Sequence, residues 1–132
     1  MGRILVVDDE PHIVKLVSFA LERNGHEVFQ ASDGVAGIET AAEKLPDLIL
    51  MDVMMPVMTG YDALDQLKAD PATCDIPVVM LSAKSQHYEQ EEGLRRGALQ
   101  YICKPFTPRD LAETVNSILA GEHGEGVRTD DA

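Results

Sequence analysis

Five short apolar runs, Ile4–Val7, Val28–Ala31, Leu48–Met51, Val78–Leu81 and Leu99–Ile102, alternate along the chain with five segments of helical character. The first, third and fourth runs are continuously apolar, as parallel strands covered on both faces must be. Between them, Pro11–Arg23 carries Ile13, Leu16, Val17, Ala20 and Leu21 at helical spacing, and Gly25 follows its end. Pro11 suits a first helical position, with Asp9 or Glu10 just before it. Gly34–Lys44 reads as a second helix, closed before Pro46, and Thr59–Ala69 as a third that stops before Pro71. Gln86–Arg96 is a polar fourth, and Thr107–Ala120 a fifth with Leu111, Val115, Ile118 and Leu119 on one face.

Strands alternating with helices through short links predict a parallel sheet with helices on both faces. Five such units predict an α/β, doubly wound, flavodoxin-like sheet of strand order 2-1-3-4-5. The 132 residues suit one domain, placed at 1–120. Residues 121–132, rich in glycine and acid, read as a flexible tail. Acidic residues outnumber basic ones 23 to 11, for a net charge of −12. A surface of that sign repels phosphate backbones and anionic lipid, which argues against nucleic-acid and membrane partners. The apolar runs are too short to span a bilayer, and the N-terminus lacks the pattern of a signal peptide. Gly2 does not begin a myristoylation motif, since Val6 stands where Ser or Thr is needed. Cys74 and Cys103 have neither disulfide-scaffold number nor metal-ligand spacing. The expectation is a reduced cytoplasmic protein.

In such a sheet the ligand site lies at the carboxyl ends of the strands, near the switch point between strands 1 and 3. Asp8 and Asp9 end the first run and Asp52 the third, so the topology gathers three carboxylates in one cleft. Carboxylates that close need a raised pKa or a divalent cation, and an all-oxygen site with room for water suits magnesium. Ser82 follows the fourth run and Lys104 the fifth, adding a hydroxyl and a cation around the same cleft. Singly, each of these residues is an ordinary loop acid, helix cap or surface lysine. Together they suit a transferring phosphoryl group, with Asp52 as carboxylate nucleophile and the metal and Lys104 offsetting charge on the equatorial oxygens.

The motifs Asp8-Asp9-Glu10, Met51-Asp52-Val53-Met54-Met55-Pro56, Gly60, Ser82-Ala83, Gly97-Ala98 and Tyr101-Ile102-Cys103-Lys104-Pro105-Phe106 resemble the receiver domain of two-component response regulators. The likeness runs from about Arg3 to Leu119. It implies that Asp52 accepts phosphate from a histidine kinase or a histidine phosphotransfer protein. Asp9, Asp52 and the Met54 backbone carbonyl would bind Mg2+ directly, and Asp8 mainly through water. Ser82 and Tyr101 would be the switch pair, Lys104 would contact the phosphoryl group, and the Lys104–Pro105 bond would be cis. Glu10 is expected to face solvent or the first helix. The changed surface is expected on the fourth helix, fifth strand and fifth helix.

By composition alone Tyr101 reads as a half-buried core aromatic, and Met51, Met54, Met55 and Met58 as loop packing in preference to a soft-metal site. The four histidines are scattered and suggest no metal role. Leu99 and Gln100 stand where receivers joined to winged-helix DNA-binding domains usually carry acids, and Thr114 and Asn116 where their dimer arginines lie. The expectation is therefore a stand-alone receiver, monomer or weak dimer, whose output is binding to a downstream protein. A magnesium-dependent aspartyl phosphatase of the haloacid-dehalogenase kind is the competing enzyme, but it needs Asp-x-Asp after strand 1, which Asp8-Asp9-Glu10 lacks. The resemblance to receivers also implies that Met54 and Lys84 flank the path of a hydrolytic water, where these two side chains are expected to slow loss of the phosphoryl group.

Overall fold

The computed structural model describes residues 2–83 and 87–121. Five strands, β1 (Arg3–Val7), β2 (Glu27–Ala31), β3 (Leu48–Asp52), β4 (Val78–Ala83) and β5 (Gln100–Lys104), form one parallel sheet in the order β2-β1-β3-β4-β5. Helices α1 (Pro11–Arg23), α2 (Gly34–Lys44), α3 (Gly60–Ala69), α4 (His87–Arg95) and α5 (Pro108–Leu119) connect or follow them. The predicted class, strand order and alternation all hold. Gln86 and Lys84, and the tail at 122–132, lie outside the described residues.

Alternation along each strand divides the core in two. Leu5, Val7, Ile49, Met51, Val78 and Met80 pack beneath Ala41, Ala63, Leu64 and Leu67 of α2 and α3. Ile4, Val6, Leu48, Leu50, Val79 and Leu81 face the other way, against Val14, Val17 and Leu21 of α1 and Leu111, Val115 and Ile118 of α5. Strands β1 and β3 thus bury both faces, as their unbroken apolar runs require.

Local chemistry sets the ends of the helices. Thr59 and Thr107 lie just outside α3 and α5 as N-caps, their hydroxyls accepting from Asp62 N at 3.2 Å and Asp110 N at 3.0 Å. Both were expected as first helical residues; each instead satisfies one of the free amides of the first turn. Glu10 is the N-cap of α1 but makes no side-chain cap bond. After α1 the chain turns through Gly25 at φ 88°, a value glycine adopts without the clash a side chain would bring.

At the amino ends of the strands a polar cluster ties α1 to α5. The Gly2 amide donates to His26 Nδ1 at 3.0 Å, so Nε2 carries the ring proton and donates to Asn116 Oδ1 at 2.7 Å. Asn116 Nδ2 in turn donates to Asn24 Oδ1 at 3.3 Å. His26 is buried, and this is its structural role.

Candidate functional site

The polar ends of β4 and β5 extend further than the apolar runs suggested. Ser82 lies within β4 and Lys104 closes β5, because Ser82↔Cys103 and Ala83↔Lys104 remain paired in register. Both residues were expected to follow their strands. Backbone pairing continues after the hydrophobic pattern stops, which hydropathy alone does not show. Leu99, expected to open the fifth strand, instead precedes it, its amide donating to Val78 O at 2.8 Å.

Register also explains the convergence of charge. Val6 pairs with Leu50, Asp52 with Leu81, and Ala83 with Lys104. With a period of two, Asp8, Asp52 and Lys104 fall on the face that α1 and α5 cover. Asp8 is fully buried, Asp52 nearly so, and Asp9 exposed; one carboxylate oxygen from each lies within 4.8 Å of the others. Lys104 Nζ donates to Asp52 Oδ1 at 3.0 Å and to Asp8 Oδ2 at 3.2 Å. It also reaches Glu10 Oε1 at 3.4 Å, a long contact made by a side chain that stays half exposed to solvent, as expected. The other oxygen of Asp8 accepts from the Glu10 amide at 3.0 Å, fixing the start of α1 to the acid.

Burial pushes the Asp52 carboxyl up from 3.8 to about 6; the hydrogen bond and charge of Lys104 oppose the rise, and the charges of Asp8 and Asp9 add to it. Asp52 is thus mostly ionised at neutral pH, yet desolvated. Burial works against the charge on Lys104, but its bonds to Asp52 and Asp8 prevail and hold its pKa above the ordinary lysine value. One ammonium, paired with Asp8, Asp52 and Glu10, serves a cluster that also holds Asp9. That excess of negative oxygen in a small space fits a hard divalent cation with several waters.

A cleft of about 340 Å3 opens over the cluster, lined by Asp9, Glu10, Asp52, Val53, Met54, Leu81, Ser82 and Lys104. Met54 is 62% exposed at its rim. Ser82 is buried in β4, on the sheet face opposite Asp52, and Tyr101 is 37% exposed on β5. Register pairs Tyr101 with Met80, so Ser82 and Tyr101 are diagonal neighbours on one face of adjacent strands. The Lys104–Pro105 bond is cis. Beyond Asp52 the chain makes a tight turn in which the Met58 amide donates to Pro56 O at 2.8 Å across Val57, held at φ 72°. Sequence reasoning did not foresee this turn, since a β-branched residue carries no signal for positive φ.

Comparison with known proteins agrees with this architecture. Residues 4–116 match the family model described as the response regulator receiver domain. The chain is 40% identical over 121 residues to protein PilH of Pseudomonas aeruginosa, covering 92% of this chain and all of PilH. It is 41% identical to the phosphate regulon transcriptional regulatory protein PhoB of Escherichia coli, covering 89% of this chain and 51% of PhoB. The chain thus spans about half the length of the transcriptional regulators it matches. Among solved structures, chemotaxis response regulator CheY4 of Vibrio cholerae superposes with a TM-score of 0.84 at 33% identity, covering 89% of this chain and 98% of CheY4. In fold, in strand order and in sequence over most of its length, the chain belongs to the response regulator receiver domains of two-component signalling.

Proposed function

We propose that Asp52 accepts a phosphoryl group from the phosphohistidine of a histidine kinase or histidine phosphotransfer protein, and that the modified domain presents an altered face to a downstream protein. The supporting observation is the lysine-bridged cluster: a buried Asp52 carboxyl accepting from Lys104 at 3.0 Å and beside Asp8 and Asp9. Asp9, Asp52 and the Met54 carbonyl would hold Mg2+, with Asp8 acting mainly through water; when bound, the ion offsets charge on the phosphoryl oxygens. An Asp52 carboxylate oxygen forms the bond to phosphorus as the donor's phosphorus–nitrogen bond breaks. Lys104 then exchanges its contact with Asp52 for one with the phosphoryl oxygens.

Ser82 can donate its hydroxyl to the added group. Its diagonal placement beside Tyr101 offers a route by which a shift of Ser82 changes the space available to that ring. The affected surface would be α4, β5 and α5. An acidic chain with no membrane-length helix among its described residues favours a protein target over nucleic acid or lipid. Incubation with acetyl phosphate and Mg2+ should add one phosphoryl mass to the wild-type chain and none to Asp52→Asn. Stoichiometric labelling of Asp52→Asn would overturn the assignment of the acceptor.

A further inference from the structure

Gly60, the first residue of α3, lies directly beneath the acceptor. A Cβ built on it would sit 2.2 Å from the Asp52 carbonyl oxygen and 3.0 Å from its carbonyl carbon. The Gly60 amide also donates to Val53 O at 2.7 Å, and the Val53 amide donates to Leu81 O at 3.1 Å. The end of β3 is therefore held between β4 on one side and the start of α3 on the other. We infer that Gly60 is a positioning residue for Asp52: the bare Cα at the start of α3 sets how far the acceptor strand settles toward the helix, and so where its carboxylate stands relative to Lys104, Asp8 and Asp9. The inference rests on the proposed phosphoryl transfer to Asp52.

The requirement is steric and not conformational. Gly60 does not hold a positive φ, so alanine is allowed there and has the higher intrinsic helix propensity. Any penalty for Gly60→Ala arises where the new methyl meets the neighbouring backbone. A second contact, Met80 Cε at 2.9 Å, is the end of a flexible side chain and can yield. The Asp52 carbonyl cannot yield without moving the strand end. Relieving the overlap needs a shift of roughly 1 Å, and misplacement on that scale can slow an aligned reaction about a hundredfold.

The test compares acetyl phosphate labelling rates and Mg2+ titrations for wild type, Gly60→Ala and Gly97→Ala. Gly97 holds φ 113° in the turn before β5, at the far end of the sheet from Asp52, so its substitution strains the fold without touching the acceptor. Gly60→Ala should label roughly ten- to a hundredfold more slowly and bind Mg2+ severalfold more weakly, while Gly97→Ala keeps both values near wild type. Folding is checked by far-UV circular dichroism, with trimethylamine oxide added to all samples to favour the compact state. If Gly60→Ala still does not fold, Thr59→Ala loosens the same helix start without adding an atom and should slow labelling about threefold. Wild-type rate and Mg2+ affinity in folded Gly60→Ala would overturn the inference, because α3 would then have moved instead of Asp52; in Thr59→Ala, where that variant stands in, they would overturn it because a loosened helix start would then leave Asp52 in place. Equal slowing in Gly97→Ala would also overturn it. Failure of the wild-type chain to label would instead overturn the proposed phosphoryl transfer itself.

Discussion

The charge on Asp52 should make the metal-free protein less stable as pH rises. In the unfolded chain its carboxyl titrates near 3.8, and in the fold near 6. Between those values the native state binds more protons than the unfolded state, so unfolding free energy falls with pH across that window. Each pH unit is worth about 1.4 kcal/mol, so the full shift amounts to about 3 kcal/mol, complete a little above pH 6. Below 3.8 the native carboxyl is neutral and the penalty is absent. Lys104 acts with the same sign but far higher on the pH scale: its raised pKa contributes stability that is complete below its ordinary value of 10.5 and lost only in strong alkali. It leaves the window around pH 4–7 to Asp52.

Asp52→Asn removes that titration while keeping the shape. Its stability relative to wild type should therefore rise by about 3 kcal/mol between pH 3.5 and pH 7.5 in the presence of a chelator. Taking the difference at two pH values cancels whatever the amide changes in packing or in its contact with Lys104. Urea unfolding followed by far-UV circular dichroism suits a chain without tryptophan. Magnesium at a hundred times its dissociation constant should return about 2.7 kcal/mol to the wild type. It should add far less to Asp52→Asn, narrowing the gap. A pH-independent difference between the two proteins would refute the reasoning, because the carboxyl would then titrate alike in both states.

Asp9→Ala should weaken Mg2+ binding about a hundredfold, the loss of one charged ligand, while Glu10→Ala, whose long contact with Lys104 is half exposed, should change it less than about threefold by calorimetry. Val57→Gly should raise stability by about 1 kcal/mol, since the fully exposed side chain packs on nothing and its positive φ is strained; a loss in urea unfolding would refute this. Met54→Asn should speed loss of the phosphoryl group roughly tenfold, about 1.4 kcal/mol of barrier, by giving water a hydrogen-bonding partner at the rim of the cleft. An unchanged or slower rate in a decay assay would show that Met54 does not govern access of water.

What could be read from the sequence follows from what each signal measures. Buried parallel strands leave unbroken apolar runs, so β1, β3 and β4 announce themselves, and their order follows from handed crossovers between short links. Asp8 and Asp52 could be brought together because the topology alone makes their strand ends neighbours. Their depth could not. Complete burial of Asp8 and its bond to the Glu10 amide depend on side-chain geometry that no spacing encodes. The long contact between the solvent-facing Glu10 and Lys104 was hidden for the same reason, as helix position says little about which side chain a nearby lysine recruits. Ser82 and Lys104 were placed at the right ends of the right strands but outside the ladder, since polar residues interrupt hydropathy before they interrupt pairing. Asn116 was legible only as an absent arginine, whereas its link between His26 and Asn24 requires α1 and α5 to be packed first.

The two ends of the sheet carry opposite polar designs. At the amino ends, His26, Asn116 and Asn24 satisfy one another as neutral hydrogen-bonding groups and fix α1 against α5. At the carboxyl ends, one lysine is shared among Asp8, Glu10 and Asp52, and desolvation keeps Asp52 well above its ordinary pKa. A neutral network gains little from an added ion, whereas an uncompensated acidic one gains several kcal/mol from the first cation that reaches it. The destabilising charge and the proposed metal affinity are thus the same electrostatic excess seen from two sides. Because α1 and α5 are tied together at the amino ends, relief of that excess should be taken up by the loops around the cleft and by the ends of β4 and β5.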